Sequence, residues 1–302
     1  MPRPVPLSPR QLEALAAAHG TPYQLYDEHG IRATARALLA TFGGHFSGFR
    51  QFFAVKALPN PAVLRVLVSE GCGLDCSSAS ELHAAALLGV PGERVMYTSN
   101  YTSKADLAAA FDQGVIINLD DVSLVEHLVA VRGRCPELVS FRLNPGLGRT
   151  DSETPSNVLG GPDAKFGVPP FQIADAYRAA RAAGARRFGI HMMTGSCVLN
   201  REYWLETVTV LLDTVAALHA ELGITFEFIN IGGGLGIPYR PGTPENDVPS
   251  LAEALRAVLA GRLAHHRLPF TPALFMENGR YMTGPHGWLV ARCEVIKNTY
   301  AR

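Results

Sequence analysis

The stretch QFFAVKALPNP, residues 51–61, contains one unit of the pattern that decides the fold. An apolar, β-prone run ends at Lys56, a proline-rich turn follows, and a run of helical period begins at Pro61. Runs of the first kind occur at 52–56, 73–76, 95–98, 115–119, 138–143, 188–193, 226–231 and 273–277. Stretches of helical period lie between most of them, at 61–70, 79–88, 103–112, 122–131, 170–183, 201–221 and 249–263. This alternation predicts an α/β fold, either a closed (β/α)8 TIM barrel or, as the alternative, a doubly wound sheet.

Lysine is rare in this chain, and arginine carries most of its positive charge. Of the 27 Lys and Arg residues only four are lysine, namely Lys56, Lys104, Lys165 and Lys297. An amine at the end of an apolar strand can lose its proton and form an imine with an aldehyde, which a guanidinium cannot do. The alternative is that the stem of Lys56 packs on the strand while its ammonium group reaches solvent.

The overall composition excludes several classes of protein. The formal net charge is zero and no basic stripe is present, so nucleic acid is not an expected partner. No apolar run is long enough to span a membrane, and the segment MPRPVPLSPR lacks the apolar core of a signal peptide. The five cysteines form no CxxC motif and are expected to be small buried residues in a reducing cytoplasm, and no metal site is predicted.

Polar and glycine residues are concentrated where the predicted strands end. Asp75, Arg142, His191 and Glu277 each lie near the end of an apolar run, and NIGGGLGIPY (230–239) follows the seventh run. In a barrel of this type the carboxyl ends of the strands carry the active site, and phosphate groups commonly bind to the loops after strands seven and eight. Glycines allow backbone N–H groups to approach an anion closely, so the Gly-Gly-Gly segment predicts a phosphate site more than a flexible turn.

A lysine, a phosphate cradle and a carboxylate on one face of a barrel predict pyridoxal phosphate as the cofactor. Lys56 would hold the aldehyde, the glycine loop would hold the phosphate, and Glu277 would keep the ring nitrogen protonated so that the ring accepts electrons. An amino acid bound to such a ring can lose CO₂ or an α-proton, depending on which bond stands perpendicular to the ring.

The chain resembles the barrel-type (fold type III) pyridoxal-phosphate-dependent decarboxylases of ornithine, lysine, arginine and diaminopimelate. The segments that carry the resemblance are GTPYQLYDEHGIRATARAL, FFAVKALPNPAVLRVLVSEGCGLDCSSASEL and MENGRYMTGPHGWLVARCEV. They are most similar to diaminopimelate decarboxylase, which implies conversion of meso-diaminopimelate to L-lysine. The alternatives are a decarboxylase of lysine or ornithine, of either hand, and a catalytically weak relative that binds the cofactor.

The resemblance also implies roles for particular residues. The catalytic set would be Lys56, His191 and Met193, and Glu81 would support the site. The family's AKFG element lies at 164–167. The cofactor-binding set would be Lys56, Asp75, Arg142, Ser196, Gly233, Gly234, Glu277 and Arg280.

Two positions depart from the family pattern. HMMTGS (191–196) places Met193 where the family has a histidine that stacks on the cofactor ring. Methionine can pack on an aromatic face but cannot hydrogen-bond or carry a proton, so either an altered substrate or a tolerated variant is expected. MENGR (276–280) has Asn278 in place of the family's proline.

The predicted domains are a cofactor-binding barrel over 28–285 and part of a second, β-rich domain formed by 1–27 and 286–302. These flanking segments contain too few strands to cover a sheet edge, so the sequence is expected to be incomplete or to need a partner chain. If the chain ends at Arg302, weak or no turnover is expected. The resemblance implies a homodimer with sites at its interface. A racemase or cofactor carrier of the same barrel type, and a phosphate-binding barrel enzyme without an imine, are the remaining hypotheses.

Overall fold

The computed structural model describes residues 4–147, 159–240 and 242–298. In these ranges the helices are α1 to α10, with bounds Pro9–His19, Glu28–His45, Pro61–Ser69, Ala79–Leu87, Lys104–Asp112, Leu124–Arg132, Pro170–Ala182, Arg201–Leu222, Val248–His266 and Arg280–Thr283. The strands are β1 to β10, with bounds Tyr23–Tyr26, Arg50–Ala54, Gly73–Cys76, Val95–Thr98, Ile116–Leu119, Leu138–Leu143, Arg187–Met192, Phe228–Asn230, Ala273–Met276 and Gly287–Val290.

Strands β2 to β9 form a closed barrel of parallel strands in sequence order. The barrel closes where β2 pairs with β9, with Arg50 opposite Phe275 and Gln51 opposite Met276. A helix follows almost every strand, and several helices begin at side chains that accept hydrogen bonds from the first turn, such as Asn60, Ser78 and Ser103. The TIM barrel is therefore confirmed, and the doubly wound alternative is wrong.

The interior of the barrel changes character along its axis. Side chains two positions apart on a strand face the same side. Towards the amino ends of the strands the interior holds an apolar cluster of Phe52, Met96, Ile116, Leu138, Phe228 and Phe275. Two positions further along four of the same strands the buried residues are polar, namely Asn118, Ser140, Asn230 and Glu277. The carboxyl end of the barrel is thus the place where polar chemistry is concentrated.

A separate two-stranded antiparallel sheet joins the two ends of the described chain. Tyr23 lies opposite Val290 and Tyr26 lies opposite Gly287. The sequence GWLVARCEVIKNTY (287–300) predicts a strand, but the strand is only four residues long, and 299–300 lie outside the described residues. Helix α1 precedes this sheet and was not predicted.

Two further expectations need correction. The first barrel strand ends at Ala54 rather than Lys56, because the chain turns into a short 3-10 helix over Val55–Ala57. Cys72, Cys76 and Cys135 are buried as expected, but Cys197 is half-buried and Cys293 is exposed, and all five are free thiols. Within the described residues, no helix is long and apolar enough to cross a membrane.

Candidate active site

A cavity of about 510 Å³ opens at the carboxyl end of the barrel. Every residue of the predicted catalytic and cofactor-binding sets contributes to its lining, namely Lys56, Asp75, Arg142, His191, Met193, Ser196, Gly233, Gly234, Glu277 and Arg280. The structure therefore brings together residues that are up to 224 positions apart in the chain, since Lys56 and Arg280 share this cavity. Their individual roles remain predictions.

Lys56 reaches into the cavity from the turn after β2 and pairs with Asp75 at the end of β3. Lys56 Nζ lies 3.2 Å from Asp75 Oδ2, and the carboxylate is almost completely buried whereas the lysine side chain is open to the cavity. Burial raises the pKa of Asp75, and the charge of Lys56 opposes that rise. The charge of Asp75 in turn raises the pKa of Lys56 above its usual range. The amine is thus held as a charged group with one fixed partner.

Glu277 is held by two side chains from neighbouring strands. His191 Nε2 lies 3.1 Å from Glu277 Oε2, and Asn230 Nδ2 donates to Glu277 Oε1 at 2.7 Å. Burial acts to raise the pKa of Glu277, but His191 and Lys56 outweigh it, so the pKa lies below its usual range. A fixed, ionised carboxylate therefore faces the cavity. The sequence did not predict a role for Asn230, although this residue lies only two positions before Gly232 of the glycine loop.

The glycine loop passes so close to other backbone that side chains would not fit. A Cβ on Gly233 would lie 2.3 Å from the carbonyl oxygen of Glu277, and a Cβ on Gly234 would lie 2.7 Å from that of Gly195. Gly232 and Gly234 also have positive φ values of 70° and 105°. Gly233 and Gly234 line the cavity, so the backbone of the loop forms a cradle in its wall.

Met193 lies directly against this glycine loop. Its Sδ atom would be 2.8 Å from a Cβ placed on Gly232, and its Cε atom 3.5 Å from one placed on Gly234. The side chain is half-buried and lines the cavity. Methionine at this position therefore gives an apolar, polarizable surface beside the cradle.

Asn278 explains one departure from the family pattern. It is fully buried, and its Oδ1 accepts a hydrogen bond from the backbone N–H of Leu235, just after the glycine loop. Its Nδ2 donates to Gln51 Oε1, while Gln51 Nε2 donates to the carbonyl oxygen of Asn278. The asparagine side chain thus ties the loop to strand β2, which a proline could not do.

The supporting residues lie around the cavity. Glu81 does not line it, but its carboxylate accepts from the backbone N–H of Ser77 at 2.6 Å, and Ser77 is a lining residue. Arg280 lies on the exposed rim and donates to the hydroxyl of Tyr239. The lining also includes Phe166 of the AKFG element and residues that the sequence did not single out, namely Thr98, Ser99, Asn100, Leu159 and Cys197.

The family model described as "Pyridoxal-dependent decarboxylase, pyridoxal binding domain" matches residues 31–284. The chain belongs to that family. Pyridoxal phosphate is the cofactor of this pyridoxal binding domain, as the sequence predicted.

The relatives of this pyridoxal binding domain include proteins named as diaminopimelate decarboxylases. Protein TabA of Pseudomonas amygdali pv. tabaci is 41% identical over 93% of this chain and 64% of its own length. Diaminopimelate decarboxylase of Methanothermobacter thermautotrophicus is 36% identical over 95% of this chain and 66% of its own length. The crystal structure of the Methanocaldococcus jannaschii diaminopimelate decarboxylase in complex with L-lysine is 26% identical, with a TM-score of 0.84, and the match covers 96% of this chain and 68% of that one. This chain thus spans about two thirds of these relatives.

The cavity of the pyridoxal binding domain fits the cofactor. Two polar atoms of lining residues, Asp75 Oδ1 and His191 Nδ1, are buried without a hydrogen-bond partner. Such atoms are costly unless a bound group or water satisfies them. Gly233 and Gly234 line the cavity, and backbone N–H groups of such a glycine loop can approach an anion closely. A polar group and an anion can thus be accommodated on the same face as Lys56.

Proposed function

We propose that this chain carries the cofactor-binding part of a pyridoxal-phosphate-dependent decarboxylase that acts on a basic amino acid. The reaction that we propose is the conversion of meso-diaminopimelate to L-lysine. The observation that carries the proposal is that Lys56, Glu277 and the glycine loop share one cavity. The names of two relatives, both diaminopimelate decarboxylases, and the L-lysine bound in one of them support the choice of substrate.

Each residue has a defined task in this proposal. Lys56 would hold the cofactor covalently through Nζ, and Asp75 holds that amine in position through a hydrogen bond. Glu277, with His191 and Asn230 as its hydrogen-bond partners, would hold a proton on the ring nitrogen. When bound, pyridoxal phosphate supplies an electron sink for the pair of electrons that remains after CO₂ leaves. The cradle at Gly233 and Gly234 and the hydroxyl of Ser196 would bind the phosphate.

Met193 favours a second candidate function, the decarboxylation of lysine or ornithine instead of diaminopimelate. Methionine presents an apolar surface beside the glycine loop, where the family pattern has a histidine. Such a surface can neither donate a hydrogen bond to a polar substrate nor move a proton. Turnover of meso-diaminopimelate, L-lysine, D-lysine and ornithine under the same conditions separates the two candidates.

The larger organisation also belongs to the proposal. The barrel would span 28–285, and 1–27 with 286–302 would form part of a second β-rich domain. The antiparallel pair of β1 and β10 supports this division, because it lies outside the barrel sheet. We further propose that the protein acts in the cytoplasm as a homodimer.

The first experiment is a visible absorption spectrum of the purified chain with added pyridoxal phosphate, before and after reduction with borohydride. We expect a visible band that disappears on reduction and a reduced adduct that peptide mass spectrometry locates on Lys56. Lys104, which is exposed on helix α5, should remain unmodified and serves as the internal control. An adduct spread over several amines, or no band, would contradict the proposed site.

A further inference from the structure

Asp120 is a buried carboxylate that lies behind the cavity wall. It follows directly after β5, its exposed fraction is 5%, and it is not one of the residues that line the cavity. Buried ionised side chains are uncommon unless they are paired. Its neighbour Asp121 is exposed, so the two adjacent carboxylates lie in opposite surroundings.

The carboxylate of Asp120 contacts two different segments of the chain. Oδ1 lies 3.6 Å from Arg142 Nη1, in an ion pair whose members are both buried. Oδ2 accepts a hydrogen bond of 2.9 Å from the backbone N–H of Gly167. One side chain thus joins the end of β6 to the loop before helix α7.

Arg142 carries this connection to the wall of the cavity. Its Nη2 donates to the carbonyl oxygens of Leu159, at 3.3 Å, and Met193, at 3.0 Å. Its guanidinium carbon lies 4.3 Å from the centre of the Phe166 ring. Leu159, Met193 and Phe166 all line the cavity. The guanidinium therefore holds three pieces of the wall together.

Gly167 shows why the loop depends on this anchor. Its φ is +81°, and a Cβ there would lie 2.9 Å from the carbonyl oxygen of Arg142. The next residue, Val168, donates to that oxygen at 2.7 Å and accepts from the backbone N–H of Asn144 at 2.9 Å. Residues 167–168 thus run beside the end of β6. The backbone N–H of Gly167 takes no part in this short pairing and donates to Asp120 instead.

We propose that Asp120 is a positioning residue that acts through Arg142 and Gly167 to fix the wall formed by Leu159, Phe166 and Met193. Leu159, Phe166 and Met193 line the same cavity as Lys56, Gly233 and Gly234. The inference rests on the proposed function, since it assumes that the cavity binds the cofactor and an amino acid. Asp120 itself touches neither.

The test compares Asp120→Asn with Asp121→Asn in the full chain. Asp120→Asn keeps an oxygen that can accept from Gly167 but removes the charge that faces Arg142. We expect the dissociation constant of pyridoxal phosphate to rise about tenfold, the size typical of coupling within one charge network. Amide hydrogen exchange should accelerate at 159–168 and stay unchanged in the rest of the barrel. Asp121→Asn removes a carboxylate one residue away and should change neither quantity.

A double variant separates positioning from a general loss of stability. Removing Asp120 alone leaves a buried guanidinium unpaired, so Asp120→Asn can unfold more readily. Asp120→Asn combined with Arg142→Gln removes both charges and should recover part of that stability. If Asp120 acts through Arg142, the double variant binds the cofactor no more weakly than Arg142→Gln alone. Additive losses of affinity, or faster exchange throughout the barrel, would overturn the proposal.

These measurements need no turnover. A chain that binds the cofactor without a borohydride-trapped adduct on Lys56, and that releases no CO₂ from any of the four amino acids, would refute the proposed function. The cofactor affinities and exchange rates would still decide the role of Asp120. Wild-type affinity in Asp120→Asn would reject that role even if the chain is an active decarboxylase.

Discussion

The two ends of the barrel use charged residues in opposite ways. At the amino end, Arg187 forms hydrogen bonds to both carboxylate oxygens of Glu93 and of Glu227. These three side chains are 35–42% exposed. At the carboxyl end, Asp75 and Glu277 are almost fully buried, and Asp75 retains an oxygen without a partner.

The difference distinguishes charged residues that stabilise the fold from charged residues that are available to a ligand. The charged groups at the amino end are hydrogen-bonded to one another and partly solvated, so none of these three side chains is a buried group in need of a ligand. The charges at the carboxyl end are desolvated and incompletely matched, which costs stability unless a bound group completes them. Functional sites are commonly the places where such unmatched groups are kept. The apolar cluster in the barrel interior lies between the two ends.

The largest effect is expected from removing the amine at the carboxyl end. Lys56→Ala should lower turnover more than about 10³-fold, because the group that would hold the cofactor and move protons is lost. Reduction with borohydride should then trap no specific adduct. Lys104→Ala is the matched control and should retain both turnover and adduct. A specific adduct elsewhere in Lys56→Ala, with unchanged turnover, would contradict the assignment.

Identical substitutions at the two ends sharpen the comparison. Glu277→Gln should reduce turnover about a hundredfold while the cofactor still binds, because a neutral amide cannot hold the ring nitrogen protonated. Glu227→Gln at the amino end should leave turnover unchanged. Steady-state rates and cofactor titrations of both variants provide the measurement. Equal effects at the two ends would remove the distinction between them.

Two glycine-to-alanine substitutions, one in the cradle and one in a helix, test the cradle. Gly233→Ala should lower the free energy of unfolding by about 1–3 kcal/mol, because its Cβ would collide with the backbone of Glu277. Cofactor affinity should fall as well. Gly261 lies within helix α9 with nothing near its Cβ position, so Gly261→Ala should raise the free energy of unfolding by about 0.5–1 kcal/mol. Urea denaturation measures both, and a stable, tightly binding Gly233→Ala would show that the cradle tolerates a side chain.

The smallest effect is expected at the amino end and depends on pH. The hydrogen bond from Arg187 holds the pKa of Glu93 below its ordinary value. Because the folded state lowers this pKa, Glu93 contributes stability above the unfolded pKa and loses it as the pH falls through the folded pKa. Glu93→Gln should cost less than about 1 kcal/mol at neutral pH and should lose less stability than the wild type between about pH 5 and pH 3. Parallel acid titrations of unfolding that show identical losses would reject the linkage.

The sequence predicted much of this architecture because strands and helices have different hydrophobic periods. The strands at 73–76, 95–98 and 138–143 begin and end where the pattern placed them. The residues predicted to be catalytic or to bind the cofactor all line one cavity, because the carboxyl ends of parallel strands meet at the same end of a barrel. Ending β2 at Ala54 was beyond the pattern, because apolar periodicity continues through Val55 into the turn.

The sequence by itself determined the order of the barrel strands, the family and the ten predicted residues that line the cavity, because these follow from local periodicity and from motifs. Only the tertiary structure decided which buried polar residues are partners. Asp120 and Arg142, Asn230 and Glu277, and Asn278 and Gln51 lie far apart in the chain or carry no distinctive spacing. The closure of the barrel buries them together, and burial makes each of these pairs necessary, since an unpaired polar group there would be costly.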